Sequence, residues 1–211
     1  MKRVLDLLLV TCSLPFLLPI LLAVGCAIRI KLGTPVLFQQ KRPGKNGKIF
    51  VLQKFRSMND SRDTHGELLP DNERVTKFGS FLRRTSLDEL PSLWNVICGE
   101  MSLVGPRPLL VEYLPRYTPE QMRRHEVLPG ITGWAQIHGR RQLRFSERIA
   151  LDIWYVDNQS FILDCMIIAR TLINSSDRLH AHQHISEVDD LHTPDRKSLL
   201  LETDEINKKV A

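Results

Sequence analysis

Hydrophobic positions follow different spacings in different parts of this chain. Residues 7–28 form an apolar run of 22 without a formal charge, long enough to cross the hydrocarbon core of a bilayer as one straight helix. Pro15 and Pro19 sit near its middle. Each lacks a helical N–H donor and crowds the preceding turn, so a break is predicted there. ProValLeuPheGlnGln (35–40) and LysIlePheValLeuGlnLysPhe (48–55) flank the glycine-bearing ArgProGlyLysAsnGly (42–47) and predict a β-hairpin. After a polar loop at 61–74 the spacing turns helical. A short amphipathic helix is predicted over 77–84, and a second begins at a Ser86 cap and runs to about 98. Thr118, Pro119 and Gln121 mark a further helix start. Two more helices are expected over 146–156 and 161–173, with Trp154 and Tyr155 at their junction.

The pattern predicts a mainly α chain with a small β-hairpin, an α+β class, divided into a membrane segment (1–30), a domain (31–174) and a polar, flexible tail (175–211). Lys2 and Arg3 precede the apolar run, and Arg29 and Lys31 follow it. Cations on both flanks favour keeping both ends on the cytoplasmic side. A helix broken in its middle then becomes a re-entrant hairpin whose freed backbone groups need partners. A proline-kinked single crossing is the competing reading. A signal peptide is disfavoured by the lack of a small-x-small cleavage site. AlaValGlyCys (23–26) resembles a lipoprotein site but is followed by IleArgIleLys rather than a tether. The helices at 146–156 and 161–173 read either as core-facing or as lying on the membrane surface with the aromatic pair at headgroup level.

Composition changes this picture little: 211 residues, 43% hydrophobic and 25% charged, suit one folded domain. Charge placement says more. Between Arg29 and Asn59 there are eight Lys or Arg and no Asp or Glu, within a net charge of +5, which points to an anionic partner next to the membrane segment. Cys12, Cys26, Cys98 and Cys165 have no paired spacing and read as reduced thiols, the first two as small buried fillers. HisAlaHisGlnHis (180–184) is read as incidental to a polar tail, with metal binding as the sharper alternative.

The candidate chemistry lies in ArgArgThrSerLeuAspGluLeuProSerLeuTrpAsnVal (83–96). A purely structural reading makes Ser86 and Glu89 a capping box and both carboxylates partners of the helix dipole. Against it, Asp88 and Glu89 are adjacent and point different ways from a helix, and Arg83 and Arg84 beside a helix start make an anion site. Positive potential there would hold Asp88 ionised. In GlyProArgPro (105–108) the prolines fix the backbone that displays Arg107, and ProGlyIleThrGlyTrpAlaGlnIleHisGlyArg (129–140) ends in Arg140. Two such guanidiniums suit a diphosphate.

PheGlnGlnLysArgProGly (38–44), LysPheArgSerMet (54–58), SerLeuAspGluLeuProSerLeuTrpAsnVal (86–96), MetSerLeuValGlyProArgPro (101–108) and ProGlyIleThrGlyTrpAlaGln (129–136), in this order, resemble the bacterial monotopic phosphoglycosyltransferases. These enzymes start glycan assembly on undecaprenyl phosphate. The similarity covers about residues 1–170, and the length is similar to the minimal branch, in which no transmembrane bundle precedes the catalytic part. The resemblance implies that Asp88 attacks the β-phosphorus of a UDP-sugar and holds the sugar phosphate as an acyl phosphate while UMP leaves. It implies that Glu89 assists proton removal from the lipid phosphate acceptor or orients it. It further implies Mg²⁺ held in part by Asp88, and Arg83, Arg107, Arg140 and Lys54 around the phosphates. The implied partners are a UDP-sugar, polyprenyl phosphate and the bilayer at the cytoplasmic face of a bacterial inner membrane, with a homodimer allowed and nucleic acid not expected. One departure is visible: relatives often break the re-entrant helix at Ser-Pro, whereas Leu18 precedes Pro19 here. A membrane-anchored module binding anionic lipid or nucleic acid through the basic hairpin is the rival from another class, and poor aromatic spacing weighs against nucleic acid.

Overall fold

The computed structural model describes residues 2–139 and 144–173; Arg140, the histidine cluster and the tail from 175 lie outside the described residues. The apolar run forms a single α-helix, α1 (Lys2–Lys31), which contains Pro15 and Pro19. The break expected there is not an interruption of helical backbone. Both prolines lie on the exposed side, so the donors they lack are missing from the unpacked face. Val10, Leu14, Leu21, Val24 and Ile28 recur at helical spacing and pack into two core clusters. Cys12 and Cys26 are exposed rather than buried fillers, because each lies two residues, more than half a turn, from a stripe residue.

The hairpin forms as expected. Strands β1 (Leu37–Pro43) and β2 (Ile49–Phe55) pair antiparallel, Gln40 opposite Leu52 and Arg42 opposite Phe50. Buried Phe50, Leu52 and Phe55 rest on α1: Phe50 and Leu52 share a cluster with Val10, and Phe55 shares one with Val24 and Ile28. Residues 61–74 are irregular except for a short helix, α2 (Asp71–Arg74), and a bridge between Arg62 and Leu68.

Helix α3 (Lys77–Thr85) starts at Thr76, whose hydroxyl accepts from the Gly79 amide at 3.0 Å. A side chain at Gly79 would meet the Ser57 carbonyl oxygen at 1.8 Å. That close approach sets α3 against the end of β2. Ser86 is a correction to the expected capping box. It takes a left-handed conformation (φ 56°) and its side chain caps no helix; its amide instead bonds to the Arg83 carbonyl, so it terminates α3. A 3-10 turn (Leu87–Ser92) carrying Asp88 and Glu89 follows, and then α4 (Leu93–Cys98).

A second, unexpected sheet forms where β3 (Ser102–Val104) pairs parallel with β4 (Gly130–Thr132). Two three-residue strands carry too little alternation to be read from sequence. A Cβ on Gly130 would lie 2.1 Å from the Gly105 amide nitrogen, so glycine lets the 105–108 strap cross β4. Between the strands, Thr118 and Gln121 form the expected capping box at the start of α5 (Pro119–Met122). After α6 (Trp134–Ile137) come α7 (Phe145–Asn158) and α8 (Phe161–Ile173), the two helices expected near the C-terminal end.

The core-facing reading of these last two helices holds for one side of each. Ile149, Tyr155, Leu163 and Ile167 are buried, while Phe161, Ile162, Leu172 and Ile173 are exposed. Trp154, half-exposed, stacks on Trp134 with ring centroids 4.4 Å apart. Tyr155 is instead a core residue whose hydroxyl donates to Asp164 Oδ1 at 2.6 Å. The N-terminal end of α1 is tied to the same region. Lys2 reaches Asp164 at 2.5 Å, Arg3 donates to the Ile97 carbonyl at 2.7 Å, and buried Asp6 accepts from the Ser102 hydroxyl at 2.8 Å and the Leu103 amide at 3.1 Å.

Candidate active site

β2, the 3-10 turn after α3, and the 105–108 strap bring Lys54, Asp88, Glu89 and Arg107 together. Each element has a local reason to be where it is: β2 buries Phe50, Leu52 and Phe55, Ser86 stops α3, and Gly130 admits the strap. Glu89 is the hub. Its Oε1 accepts from Lys54 Nζ at 2.8 Å, and both of its oxygens face the Arg107 guanidinium, Oε2 at 3.4 Å from Nη1 and Oε1 in closer contact with Nη2. Burial acts to raise the Glu89 pKa, but Arg107 and Lys54 outweigh it and hold the carboxyl well below the usual range. Burial pushes the Lys54 ammonium down, helped by Arg107 and opposed by Glu89.

Asp88 differs from its neighbour. It makes no hydrogen bond or ion pair shown among the described residues, and burial, with the charge of Glu89, pushes it up to about 6 against the pull of Lys54, Arg107 and Arg83. Burial thus works against the positive potential expected to hold it ionised, and Lys54 and Arg107 are also engaged with Glu89. At neutral pH it is still largely ionised. Arg83 is within electrostatic reach of Asp88 and donates through Nε to the Ser57 hydroxyl at 2.8 Å. The result is an unpaired carboxylate beside a neutralised one, an arrangement suited to a nucleophile that must meet an anionic centre.

A cleft of about 90 Å³ opens beside Glu89, with Arg42, Lys54, Arg107 and Ser92 in its lining and Leu52, Met101 and Ile131 among its apolar walls. That volume suits a phosphate-sized group and not a whole nucleotide-sugar. The expected site residues Lys54, Arg83, Asp88, Glu89 and Arg107 thus converge, while Arg140 lies outside the described residues. Arg42, missed as a site residue, stood in the quoted PheGlnGlnLysArgProGly motif and the basic stretch. Also missed was the wholly buried Arg124, which donates to Asp152 at 2.6 Å and to the Arg107 carbonyl at 2.7 Å. It fixes the strap from behind. Its sequence signal, one arginine among several in a polar stretch, was too weak to find.

Among the described residues no group of three His, Cys, Asp or Glu could hold a metal ion by itself. Glu89 is already committed to two cations, which leaves Asp88 as the carboxylate at hand. Such a donor set fits Mg²⁺, which commonly binds through one or two carboxylates together with substrate phosphates and water.

A family model described as bacterial sugar transferase matches residues 1–178. The chain is 53% identical to the uncharacterised sugar transferase EpsL of Bacillus subtilis, over 82% of this chain and 85% of that protein. It is 41% identical to the UDP-glucose:undecaprenyl-phosphate glucose-1-phosphate transferase of Xanthomonas campestris, over 82% of this chain but 38% of that protein. Against the UDP-N-acetylgalactosamine-undecaprenyl-phosphate N-acetylgalactosaminephosphotransferase of Aeromonas hydrophila, identity is 39%, over 81% of this chain and 42% of the other. The chain therefore spans about two fifths of these two enzymes.

Proposed function

The chain belongs to the bacterial sugar transferase family, and we propose that it transfers a sugar-1-phosphate from a UDP-sugar to undecaprenyl phosphate, releasing UMP. Relatives bearing the names of such transferases support the reaction type. The observation that carries the mechanism is the contrast between the two carboxylates: Glu89 neutralised by Lys54 and Arg107, Asp88 unpaired beside them.

In the first step an Asp88 carboxylate oxygen attacks the β-phosphorus of the UDP-sugar. The bond from that phosphorus to the bridging oxygen breaks, the electron pair leaves with UMP, and an acyl phosphate remains. In the second step an oxygen of the lipid phosphate attacks the same phosphorus and restores the Asp88 carboxylate. Lys54, Arg107 and Arg83 lower the repulsion between carboxylate and diphosphate. Glu89 is a weak base in this setting, so its role is to hold Lys54 and Arg107 in place and orient the acceptor. Asp88 would hold Mg²⁺, which would supply further neutralisation of diphosphate charge.

How α1 docks supports a one-sided membrane arrangement. Val10 clusters with Phe50 and Leu52, and Val24 and Ile28 cluster with Phe55, all three partners lying in seven-residue β2. A domain that contacts both ends of α1 supports an α1 that enters the bilayer from the domain's face without crossing. With cations at both ends and a UDP-sugar as donor, that face is the cytoplasmic one of a bacterial inner membrane.

The test is the half-reaction. Incubated with Mg²⁺ and its UDP-sugar but no lipid acceptor, the enzyme should release UMP up to about one equivalent and gain the mass of one sugar phosphate. Asp88→Asn should do neither. An adduct mapped to Glu89, or normal turnover with lipid but no UMP without it, would overturn the covalent route.

A further inference from the structure

Lys54 and Arg107, two of the three cations lining the cleft, are engaged with Glu89; Arg42, the third, is not. Arg42 Nη2 donates to Gln40 Oε1 at 2.6 Å, and Nη1 makes a long contact of 3.4 Å with the Pro108 carbonyl. Its Nε is buried with no hydrogen-bond acceptor among the described residues. A guanidinium carries five N–H donors, and these contacts use two. Nor has it a carboxylate within ion-pair distance among the described residues; Glu112, which acts on it electrostatically, is exposed. Arg42 is thus a cation brought into a cleft without a charge partner, against the usual rule that inward cations are paired.

Its position is also held. Gln40 and Arg42 share one face of β1 at a two-residue interval, and the amide oxygen of Gln40 steers the guanidinium. The contact with Pro108 sets Arg42 against the strap that displays Arg107. Arg107 faces Glu89, and Arg42 lines the same cleft as both.

We propose that Arg42 binds the phosphate that is not transferred, the nucleoside monophosphate group of the donor that departs as UMP. This rests on the function proposed above. Adjacent phosphorus atoms of a diphosphate are separated by a single bridging oxygen, so a β-phosphorus at Asp88, whose neighbour Glu89 lines the cleft, leaves the α-phosphate within reach of the cleft that Arg42 lines. When the bond to the β-phosphorus breaks, the electron pair stays on the bridging oxygen and the α-phosphate gains a full negative charge. An uncompensated guanidinium with free donors stabilises that charge as it develops, and no proton needs to move. The lipid phosphate shares this chemistry, and the experiment separates the two.

The full chain is prepared in detergent or nanodiscs as wild type, Arg42→Gln and Arg42→Lys. UMP affinity is measured by calorimetry, exchange of labelled UMP into the UDP-sugar without lipid reports the first step, and kcat/KM for undecaprenyl phosphate reports the acceptor step. Arg42→Gln should weaken UMP binding tenfold or more and slow exchange at least as much, while kcat/KM for the acceptor stays within twofold. Arg42→Lys should fall between, with a thermal midpoint like that of wild type, so a folding defect in the Gln variant would not mask the effect. Unchanged UMP affinity in both variants, or a loss confined to kcat/KM for the acceptor, overturns the proposal. If wild type exchanges UMP and both variants match it, the proposal falls and the transferase reading stands. If wild type neither binds nor exchanges UMP, both fall.

Discussion

Asp88 shows how the site sets stability against function. Its carboxyl is pushed up to about 6 from an ordinary value of 3.8 by burial and by Glu89, so its charge at neutral pH is a cost to the folded state. The shift corresponds to at most about 3 kcal/mol, reduced by whatever solvent reaches the group. Asp88→Asn removes the charge and keeps the shape, and it is expected to raise the thermal midpoint by several degrees while abolishing UMP release. A carboxylate that merely caps a helix gives the opposite pair of results, a slight loss of stability with turnover intact. Melting and activity assays on one preparation decide between them, and an Asp88→Asn protein that melts below wild type contradicts the strained-charge account. Glu89 has no such tension, because Lys54 and Arg107 offset its burial.

At the scale of elements, His125 joins two pieces of the scaffold behind the strap. It ends the 3-10 turn that continues α5, and its Nδ1–H donates to the Gly44 carbonyl in the hairpin loop at 3.2 Å. Burial and the neighbouring Arg124 push its pKa down to about 4, against the pull of the Gly44 carbonyl. The unfolded chain, with an ordinary histidine near 6.5, therefore takes up a proton before the folded one. The stability this group contributes is complete above about pH 6.5 and is lost as pH falls toward 4. Thermal midpoints of wild type and His125→Gln should converge as pH drops from 7.5 to 4.5, and parallel curves would refute the linkage. Other elements show which parts of the fold were legible in sequence. The hairpin, α3, α7 and α8 have strong periodicity and were read correctly. Ser86 was misread because its role depends on a left-handed backbone angle and on Glu89 being drawn to Lys54 and Arg107, contacts across 35 and 18 residues. The β3–β4 pair depends on glycines that matter only when two distant straps meet. Asp88, Glu89, Arg107, Arg83 and Lys54 could be named in advance because they stand in dense local motifs. Arg42 stands in such a motif too, but its role, like that of Arg124, emerges only through tertiary contacts.

For the whole molecule, the decisive relation is between α1 and the domain it lies against. A straight helix of 30 residues spans about 45 Å, more than the roughly 30 Å of a hydrocarbon core, so length alone allows a crossing. Packing argues otherwise. Lys2, Arg3 and Asp6 bond to α8, α4 and β3 near one end, and Ile28 packs with Phe55 and Leu82 near the other, and no folded domain lies on both faces of a bilayer at once. Phe16, Leu18, Ile20 and Leu22, between these anchors, are exposed, as are Ile162 and Ile173 on α8, and burying them in one leaflet removes that apolar surface from water. The arrangement is tested by labelling in a background where the four cysteines are replaced by serine. Val4→Cys and Ile30→Cys, at exposed positions near opposite ends of α1, should resist a membrane-impermeant maleimide in intact cells and react together once the cells are opened. Leu18→Cys, between them, should stay unreactive in both conditions until detergent is added. Labelling of Val4→Cys from outside intact cells would mean that α1 crosses the membrane and that its docked N-terminal end is not the arrangement in the bilayer.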